Sequence, residues 1–366
     1  MNILFIINSF SKGGAEKLVY DLSLQMCNNV DAISVVGLYN ASPEMEESMR
    51  MDLERKGIKT YVLGKRAKKD RFKSIKQICN IIKKDRISII HVHCGVMILG
   101  KIAGFLTRVP VICTVHNTRG YCAIEERTTS WMSKAYVSIG QAAEEYMIKE
   151  LRIPISKITR IYNGINVHKA QSGKKTDNFW KQFGLWNTGD IALLSVARIH
   201  PQKNHLCMLR AIYELKKQGL NRYKLYLVGP YDKEDVLYKQ LTDYVQEHQL
   251  KEQVYFLGPQ NNVADFLANA DCFLMTSWYE GLSLAFLEAV ISGIPIICTD
   301  MPFVHNLNKI SVCASVIAQD DSVTLAEILV GKKFVSFPLA SQIFAEQFSI
   351  ENCAQKHLEV YKKVCL

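Results

Sequence analysis

The stretch DCFLMTSWYEGLSLAFLEAVISGIPIICT, residues 271–299, decides the fold class. Short apolar runs over 271–275 and 295–299 predict two buried strands. Between them, the apolar spacing predicts a helix from Ser283 to Ser292, which Gly293 and Pro295 bring to an end. Strands that alternate with helices in this way predict a parallel sheet covered by helices on both faces.

The same alternation extends over the rest of the 366 residues. In the second half we predict strands at 191–197, 223–228 and 254–257, and helices at 205–218 and 233–248. In the first half we predict strands at 2–7, 31–38, 59–63, 88–94, 109–115 and 135–138, and helices at 14–27, 45–56 and 71–84. The expected fold class is therefore α/β, with two Rossmann-like doubly wound domains.

The periodic pattern stops in a polar stretch between the two halves. We therefore expect an N-terminal domain over 1–165, a linker over 166–185 and a C-terminal domain over 186–347. Two such domains facing each other would leave a cleft at the carboxyl ends of their strands, where ligands bind in this architecture.

The composition describes a globular protein, with 48% hydrophobic and 22% charged residues. No run of about 20 apolar residues is present, so we expect no membrane-spanning helix. The strand-like start at 2–7 argues against a signal peptide. The 11 cysteines are irregularly spaced and form no Cys-x-x-Cys pair, which favours a reduced, cytoplasmic protein without a structural zinc site.

The net charge of +10 lies entirely in residues 1–165. Within this half, residues 65–86 hold ten Lys and Arg and only two acids. This basic segment is either an ordinary solvated helix face or a patch for anionic lipid headgroups. No row of stacking aromatics accompanies the charge, so we expect no nucleic-acid partner.

The segment YEGLSLAFLEA at 279–289 combines a predicted helix start, which can bind an anion, with two glutamates, which can accept hydrogen bonds from hydroxyl groups. The first amides of the predicted helix and its positive dipole end suit a diphosphate. Glu280 precedes that helix start and Glu288 lies inside the helix. Their carboxylates can accept hydrogen bonds from sugar and ribose hydroxyls, although a capping Glu and a surface Glu would give the same spacing.

With Leu284 and the following Gly293-Ile294-Pro295, this segment resembles the Glu-x7-Glu motif of retaining family-four glycosyltransferases, which have the GT-B fold. The resemblance implies that Glu280 contacts donor-sugar hydroxyls and Glu288 the nucleotide ribose. The helix-start residues implied in donor binding are Gly281, Leu282, Ser283 and Leu284. In that family the closing helix, here within 348–366, crosses back to the N-terminal domain.

The segment SVARIHPQKN at 195–204 resembles the Arg-x4-Lys signature of the same family. Arg198 ends a predicted strand and Lys203 precedes a predicted helix. Both cations can stabilise a departing nucleoside diphosphate without a metal. A pair of solvated surface cations is the alternative. The family usually has Gly at the position of Ala197.

Three glycines match positions that border the donor in this family. Gly229 and Gly258 follow predicted strands in LVGP and FLGP, although Gly-Pro often only turns a chain. Gly14, in the GGAEK segment at 13–17, matches a glycine whose amide approaches the donor phosphate. By itself, a Gly-Gly pair at a strand–helix turn is a weak signal.

Histidines end two neighbouring predicted strands, in HVHC at 91–94 and TVHN at 114–117. A metal site is one interpretation, but carboxylate partners are absent nearby in sequence, and we expect none. The resemblance implies that His116 contacts the donor sugar or the acceptor, whereas His93 is expected to be a partly buried residue with its hydrogen bonds made.

The resemblance implies transfer of a sugar from a UDP- or GDP-sugar to an acceptor hydroxyl, with retention and without a metal or organic cofactor. The acceptor would be a glycan or a lipid-linked sugar. The positive charge of the N-terminal half is the one observation that favours a lipid-linked acceptor at the inner face of the membrane, as in cell-surface polysaccharide or glycolipid assembly. A sugar-nucleotide epimerase or hydrolase, and a non-catalytic membrane-surface-binding protein, are the alternatives. The spacing of the motif residues does not identify the donor sugar, the nucleotide base or the acceptor.

Overall fold

The computed structural model describes residues 1–11, 13–116, 121–184, 186–331 and 334–365, with the side chains of residues 44 and 45 left out. The chain divides into two compact units. Unit 1 comprises Met1–Ile165 and Phe348–Leu366, and unit 2 comprises Asn166–Gln347.

Unit 1 contains, within its described residues, a parallel sheet of seven strands in the order β3-β2-β1-β4-β5-β6-β7. The strands are β1 (Asn2–Ile7), β2 (Ala32–Gly37), β3 (Lys59–Val62), β4 (Ile89–Val92), β5 (Val111–Val115), β6 (Ala135–Ser138) and β7 (Ile158–Arg160). The helices are α1 (Gly14–Met26), α2 (Pro43–Arg55), α3 (Arg71–Lys84), α4 (Met97–Thr107), α5 (Ala123–Thr129) and α6 (Gln141–Lys149). Short 3-10 helices cover Ser130–Met132 and Ile155–Lys157.

Unit 2 has a second parallel sheet, which over the described part of the chain has six strands in the order β10-β9-β8-β11-β12-β13. The strands are β8 (Ile191–Val196), β9 (Tyr223–Val228), β10 (Val254–Gly258), β11 (Cys272–Met275), β12 (Ile296–Thr299) and β13 (Ser315–Ile317). The helices are α7 (Val167–Gln171), α8 (His205–Lys217), α9 (Val236–Glu247), α10 (Val263–Asn269), α11 (Leu284–Ser292), α12 (Pro302–Asn308), α13 (Ser322–Val330) and α14 (Pro338–Gln347). Short 3-10 helices cover Phe179–Phe183 and Pro201–Lys203. The last helix, α15 (Ile350–Cys365), belongs to unit 1.

The central strand of unit 1 shows why the sheet is covered on both faces. Ile3, Phe5 and Ile7 belong to one buried cluster, together with residues of α1 and α15. Leu4 and Ile6 belong to another, together with residues of α3 and α4. Successive side chains of a strand point to opposite faces, so a strand that is apolar at every position needs helices on both sides. The predicted α/β class with doubly wound sheets is confirmed.

The segment 166–185, which we expected to be a linker, differs in the structure. Residues 166–184 contain α7 and a 3-10 helix, and they pack within unit 2. The indole of Trp180 stacks on the ring of Tyr226 with a centroid distance of 4.0 Å, and its Nε1 donates to the carbonyl of Asn269 at 2.8 Å. Burial of this indole, with the contacts of Phe179 and Phe183 to the ring of Phe266, holds the segment on the unit, because aromatic rings bury a large apolar area.

Helix α15 completes the core of unit 1 from the far end of the chain. The amide of Ile165 donates to Phe348 at 2.9 Å, and the amide of Ile350 donates to Ile165 at 2.8 Å, so the two chain segments run side by side. Deeper in the unit, the hydroxyl of Tyr361 lies 2.6 Å from Nδ1 of His91. The first 165 residues therefore close their core with a helix from the chain's last segment.

A buried ion pair joins α4 to α5 in unit 1. The Nζ atom of Lys101 lies 2.5 Å from Oε2 of Glu126, and the two side chains are 0% and 2% exposed. Thr129 accepts a further hydrogen bond from Lys101 at 3.1 Å. A buried charge is tolerable only while its counter-charge and hydrogen bonds are in place.

Replacing Lys101 by Met should therefore lower the free energy of unfolding by about 3–5 kcal/mol, because Glu126 is left as an uncompensated buried charge. The measurement is urea unfolding followed by circular dichroism. The double variant Lys101→Met/Glu126→Leu should recover most of the loss. Lys149→Met, which breaks an exposed pair with Glu145, is the matched control and should cost less than about 1 kcal/mol. Equal effects of the two single variants would contradict the account.

Candidate functional site

The carboxyl ends of β8 and β11 bring together the residues predicted from the two motifs of the second half. These strands are direct neighbours in a parallel sheet, so the loops that follow them leave from the same edge. Arg198 follows β8, Lys203 ends the 3-10 helix in the same loop, and Glu280 lies in the loop after β11. Strand polarity alone accounts for this juxtaposition.

Lys203 and Glu280 form an ion pair within unit 2. The Nζ atom of Lys203 lies 2.5 Å from Oε1 of Glu280, and the two side chains are 18% and 9% exposed. Ser277 donates to the same oxygen at 2.8 Å, and Gln202 donates to Oε2 at 3.3 Å. One carboxylate therefore accepts hydrogen bonds from three side chains, which fixes its position.

Backbone hydrogen bonds hold the two loops together. The amide of Trp278 donates to the carbonyl of Gln202 at 2.8 Å, and the hydroxyl of Thr276 donates to Asn204 at 2.9 Å. On the other side, the hydroxyl of Thr299 donates to Ser277 at 2.7 Å. These hydrogen bonds fix the loops that carry Lys203 and Glu280 at the edge of the sheet.

Ser277 and Gln202 were not singled out in the sequence. The signal available for Ser277 was its place in a polar pair, Thr276-Ser277, directly after a buried strand. Polar side chains at the carboxyl end of a parallel strand are typical of ligand-binding edges.

Arg198 is exposed at the end of β8, and it contributes positive charge beside Lys203. The neighbouring His200 reports this charge: burial, followed by Arg198 and Lys203, lowers the pKa of its imidazole. The edge of the sheet therefore presents a cationic environment in which an anion is favoured.

Helix α11 begins beside the same loop. Ser283 caps it, with the side-chain oxygen accepting from the amide of Phe286 at 3.3 Å. Gly281, Leu282 and Leu284 are buried around the helix start. Glu288 lies one turn further along the helix and is half-buried. The structure thus gathers Glu280 and the predicted helix-start residues at one helix N-terminus, with Glu288 on the same helix.

The strand ends at Gly229 and Gly258 also meet. The amide of Gly229 donates to the carbonyl of Gly258 at 2.9 Å, and their φ angles are +147° and +67°. A Cβ atom on Gly229 would lie 2.1 Å from the carbonyl oxygen of Ala197. Glycine at 229 therefore allows the ends of β8 and β9 to approach closely, next to Arg198.

In unit 1, Gly14 is the first residue of α1, and a Cβ atom there would have no neighbour within 4 Å. The space on the Cβ side of this glycine is open. Glu16, in the first turn of the same helix, is buried, and a Cβ atom on Gly13 would lie 2.2 Å from its Oε2. A carboxylate at a helix N-terminus competes with any other anion for that end of the dipole.

His116 lies just after β5, in a cluster of buried histidines. Its Nε2 lies 3.1 Å from Nδ1 of His93, and burial lowers the pKa of His116 to about 3. His91 is held between Tyr361 and Thr114, with the hydroxyl of Thr114 2.7 Å from its Nε2. Burial also lowers the pKa of His91 and of His93 well below the ordinary value.

A fourth histidine, His357, packs against this group from α15. The ring centroids of His91 and His357 are 5.5 Å apart, and burial lowers the pKa of His357 to about 4. Nε2 of His93 has no hydrogen-bond partner among the described residues, so the expectation that all its hydrogen bonds are made differs from the structure. The other ring nitrogen of His93, Nδ1, has a partner in Nε2 of His116.

The basic segment 65–86 contains α3 and the loop before it. Lys65 is buried and donates to the carbonyl of Arg66 at 3.0 Å, whereas Lys73 and Lys76 are exposed on the helix. Over the parts of the chain that the structure describes, no group of three or more His, Cys, Asp or Glu side chains could hold a metal ion. No helix in those same parts is long and apolar enough to cross a membrane.

Two protein families match the chain, and together they span most of it. Residues 176–329 match "Glycosyl transferases group 1", and residues 12–169 match "Glycosyltransferase Family 4". Each match falls almost wholly on one of the two units.

Relatives and solved structures give the same picture. A UDP-Gal:alpha-D-GlcNAc-diphosphoundecaprenol alpha-1,3-galactosyltransferase of Escherichia coli is 29% identical over 63% of this chain and 62% of its own length. The capsular polysaccharide biosynthesis glycosyltransferase CapH of Staphylococcus aureus is 22% identical over 99% of this chain and 98% of its own. The structure of HepE from Anabaena in complex with UDP-glucose has a TM-score of 0.83 at 19% identity, over 99% of this chain and 100% of that one. The last likeness shows the fold.

The buried histidines of unit 1 predict that its stability falls as the pH falls below about 6.5, the ordinary pKa of histidine. In the folded protein the pKa values are depressed, so the imidazoles stay neutral while the unfolded chain takes up protons. The stabilisation is thus complete above pH 6.5 and is lost as the pH falls toward the folded values. Each histidine should contribute up to about 1.4 kcal/mol per pH unit.

Guanidinium unfolding at pH 7.5, 6.5 and 5.5 measures this slope. His357→Gln should make the dependence on pH shallower, whereas His168→Gln, at an exposed position, should leave it unchanged. An identical slope in the two variants would contradict the role of the buried cluster.

Proposed function

Since this chain is a group 1 glycosyltransferase with the GT-B fold, we propose that it transfers a sugar from a UDP- or GDP-sugar to an acceptor hydroxyl, with retention at the anomeric carbon and without a metal. The observation that carries the proposal is the Lys203–Glu280 pair at the strand edge, next to Arg198 and the start of α11. A diphosphate needs cations and helix amides, and a sugar needs hydroxyl acceptors. All of these occur within unit 2.

The diphosphate of the donor would bind to Arg198 and to the first amides of α11. Arg198 is exposed, whereas the charge of Lys203 is balanced by Glu280 when no donor is present. A charge-assisted hydrogen bond from either cation would stabilise the leaving diphosphate by about 1.5–3 kcal/mol. The capped start of α11 adds the positive end of the helix dipole.

The sugar and the ribose would bind to the two glutamates. Glu280 is held by three donors, so an incoming sugar hydroxyl would meet a carboxylate already in position. Glu288, on the same helix, is the proposed ribose contact. Gly229 and Gly258 would let the nucleotide approach the backbone of β9 and β10. His116 and Gly14, in unit 1, are the proposed contacts from the first half of the chain.

The proposed chemistry is a same-face substitution. The acceptor oxygen forms a bond to the anomeric carbon as the bond from that carbon to the phosphate oxygen breaks. The acceptor's proton passes to the departing diphosphate, and the electron pair of the broken bond stays there. Arg198 and Lys203 stabilise the negative charge that develops on the diphosphate.

The acceptor would be a glycan or a lipid-linked sugar in surface polysaccharide or glycolipid assembly. The E. coli relative is named for a diphosphoundecaprenol-linked acceptor, and CapH for capsular polysaccharide biosynthesis. The concentration of net positive charge in residues 1–165 supports a position in the cytoplasm at the inner face of an anionic membrane.

Two substitutions should separate the roles of the cations and the carboxylate. Arg198→Ala should weaken binding of both the free nucleoside diphosphate and the nucleotide sugar. Glu280→Ala leaves Lys203 unpaired, so affinity for the free nucleoside diphosphate should be kept or rise. Transfer should nevertheless fall by about a hundredfold or more, because the sugar loses its acceptor and the loop its anchor.

The measurement is isothermal titration with UDP, GDP and their sugars in the presence of EDTA, followed by assays of donor turnover. Glu214→Ala and Lys217→Ala, at an exposed pair on α8, are the matched controls and should change neither quantity. If Glu280→Ala weakens binding of the free nucleoside diphosphate as strongly as Arg198→Ala does, the proposed division between diphosphate binding and sugar binding is wrong. If no nucleotide sugar binds, the proposed donor site is wrong. Release of the sugar without transfer to any acceptor would instead indicate a hydrolase.

A further inference from the structure

The surface formed by α4, α5 and the following 3-10 helix carries four large apolar side chains that are more than half exposed. We call Phe105, Leu106, Ile124 and Trp131 the apolar strip, and their exposed fractions are 57%, 62%, 75% and 59%. Soluble proteins expose single apolar residues commonly, but adjacent large ones mark an interaction surface.

Two members of the strip are in direct contact, and Ile124 lies on the helix that leads to Trp131. The rings of Phe105 and Trp131 meet edge to face at a centroid distance of 5.5 Å. The hydroxyl of Thr128 donates to Ile124 at 2.9 Å, and Nε1 of Trp131 donates to Thr128 at 3.0 Å. Because the indole N–H is already satisfied by a backbone carbonyl, the ring can leave water without losing a hydrogen bond.

The charges around the strip are cationic. Glu125 is paired with Arg71 of α3 at 3.6 Å, and Glu126 is buried against Lys101. Both acids of α5 are therefore neutralised by cations of unit 1, Arg71 and Lys101. Three exposed cations lie on the same elements or follow them closely: Arg108, Arg127 and Lys134. The Arg71–Glu125 contact also joins the strip to the basic segment 65–86.

We propose that the apolar strip is a bilayer-docking surface, which inserts Phe105 and Trp131 at the boundary between headgroups and acyl chains while the surrounding cations bind anionic headgroups. The occupant follows from the charge: apolar rings with a cationic rim complement an anionic lipid surface. The proposal deepens the membrane association proposed above, and its role in catalysis rests on that function.

The apolar strip and the basic segment make different predictions about salt. Attraction between the exposed lysines of α3 and anionic lipid is screened at high ionic strength. Burial of Phe105 and Trp131 in the interface is not an interaction between charges, so it persists in salt. A chain that binds through the basic segment alone would be released completely by salt.

Co-sedimentation of the full chain with phosphatidylglycerol-containing vesicles, at low and at high salt, tests the proposal. The triple variant Phe105→Ser/Ile124→Ser/Trp131→Ser should reduce partitioning at least about tenfold and should abolish the salt-resistant fraction. The matched control replaces three exposed apolar residues of unit 2, Val236, Val323 and Leu339, with Ser, and it should bind as the wild type does. Equal binding of the two triple variants would overturn the proposal.

A second measurement does not require a variant with altered packing. Vesicles that carry brominated acyl chains should quench the fluorescence of the wild-type chain, and Trp131→Phe should remove most of the quenching while it keeps binding. Quenching that is unchanged in Trp131→Phe would place the contact elsewhere and overturn the assignment.

The vesicle results and the donor-site results can fail separately. Titration with UDP- and GDP-sugars in the absence of lipid reports on the donor site without involving the apolar strip. If the donor binds but vesicles are not bound by the wild type, the docking surface is wrong and a protein partner for the strip becomes the next hypothesis. If vesicles are bound through the strip but no donor is, the transferase proposal fails and the docking surface stands.

Discussion

Parallel strand pairing is the constraint on which the rest of this structure depends. Every pair of adjacent strands in both sheets runs in the same direction, so each connection has to return across a face of the sheet. The returning helices bury both faces, which explains why central strands such as β1 and β9 are apolar at nearly every position. The same polarity sends the loops after β8 and β11 out of one edge. Two residues 77 positions apart, Lys203 and Glu280, can then form one ion pair.

Hydrogen bonds from neighbouring residues stabilise the Lys203–Glu280 ion pair. A partly buried lysine and glutamate lose hydration, and the loss is offset only if their mutual attraction is supported by further hydrogen bonds. Ser277 and Gln202 supply that support on the carboxylate side. Arg198, by contrast, stands exposed at the end of its strand. The edge thus holds one cation whose charge is balanced by a carboxylate and one cation that is exposed to solvent.

The sequence specifies the strongly apolar elements well and the weakly apolar ones poorly. β1, β6 and β9 have the predicted bounds, because each is a buried run with sharp ends. β7 and β13 were not predicted: each has three residues at a sheet edge, and half-exposed positions carry no periodic signal. Residues 166–184 were predicted to be a linker because polar residues outnumber the three aromatic residues, Phe179, Trp180 and Phe183, that hold them on unit 2. The order of strands and motifs predicted that Arg198, Lys203 and Glu280 lie at strand ends, but not that Lys203 and Glu280 would be paired, since side-chain pairing depends on packing across the sheet edge. The contacts of the histidine cluster were not predicted for the same reason: they join residues that are far apart in the sequence, such as His91 and Tyr361, which are 270 positions apart.

The position of α15 determines which of the two units can complete its folding first during synthesis. Unit 2 is a continuous piece of chain, Asn166–Gln347, whereas unit 1 is built from two pieces that flank it. Helix α15 supplies Ile350, Leu358 and Tyr361 to the same buried cluster as β1. During synthesis, domains fold as their residues leave the ribosome. The sheet that is translated first must therefore wait with one apolar face covered only in part, by α1, until α15 has been made, and the unit translated second is the first to be complete.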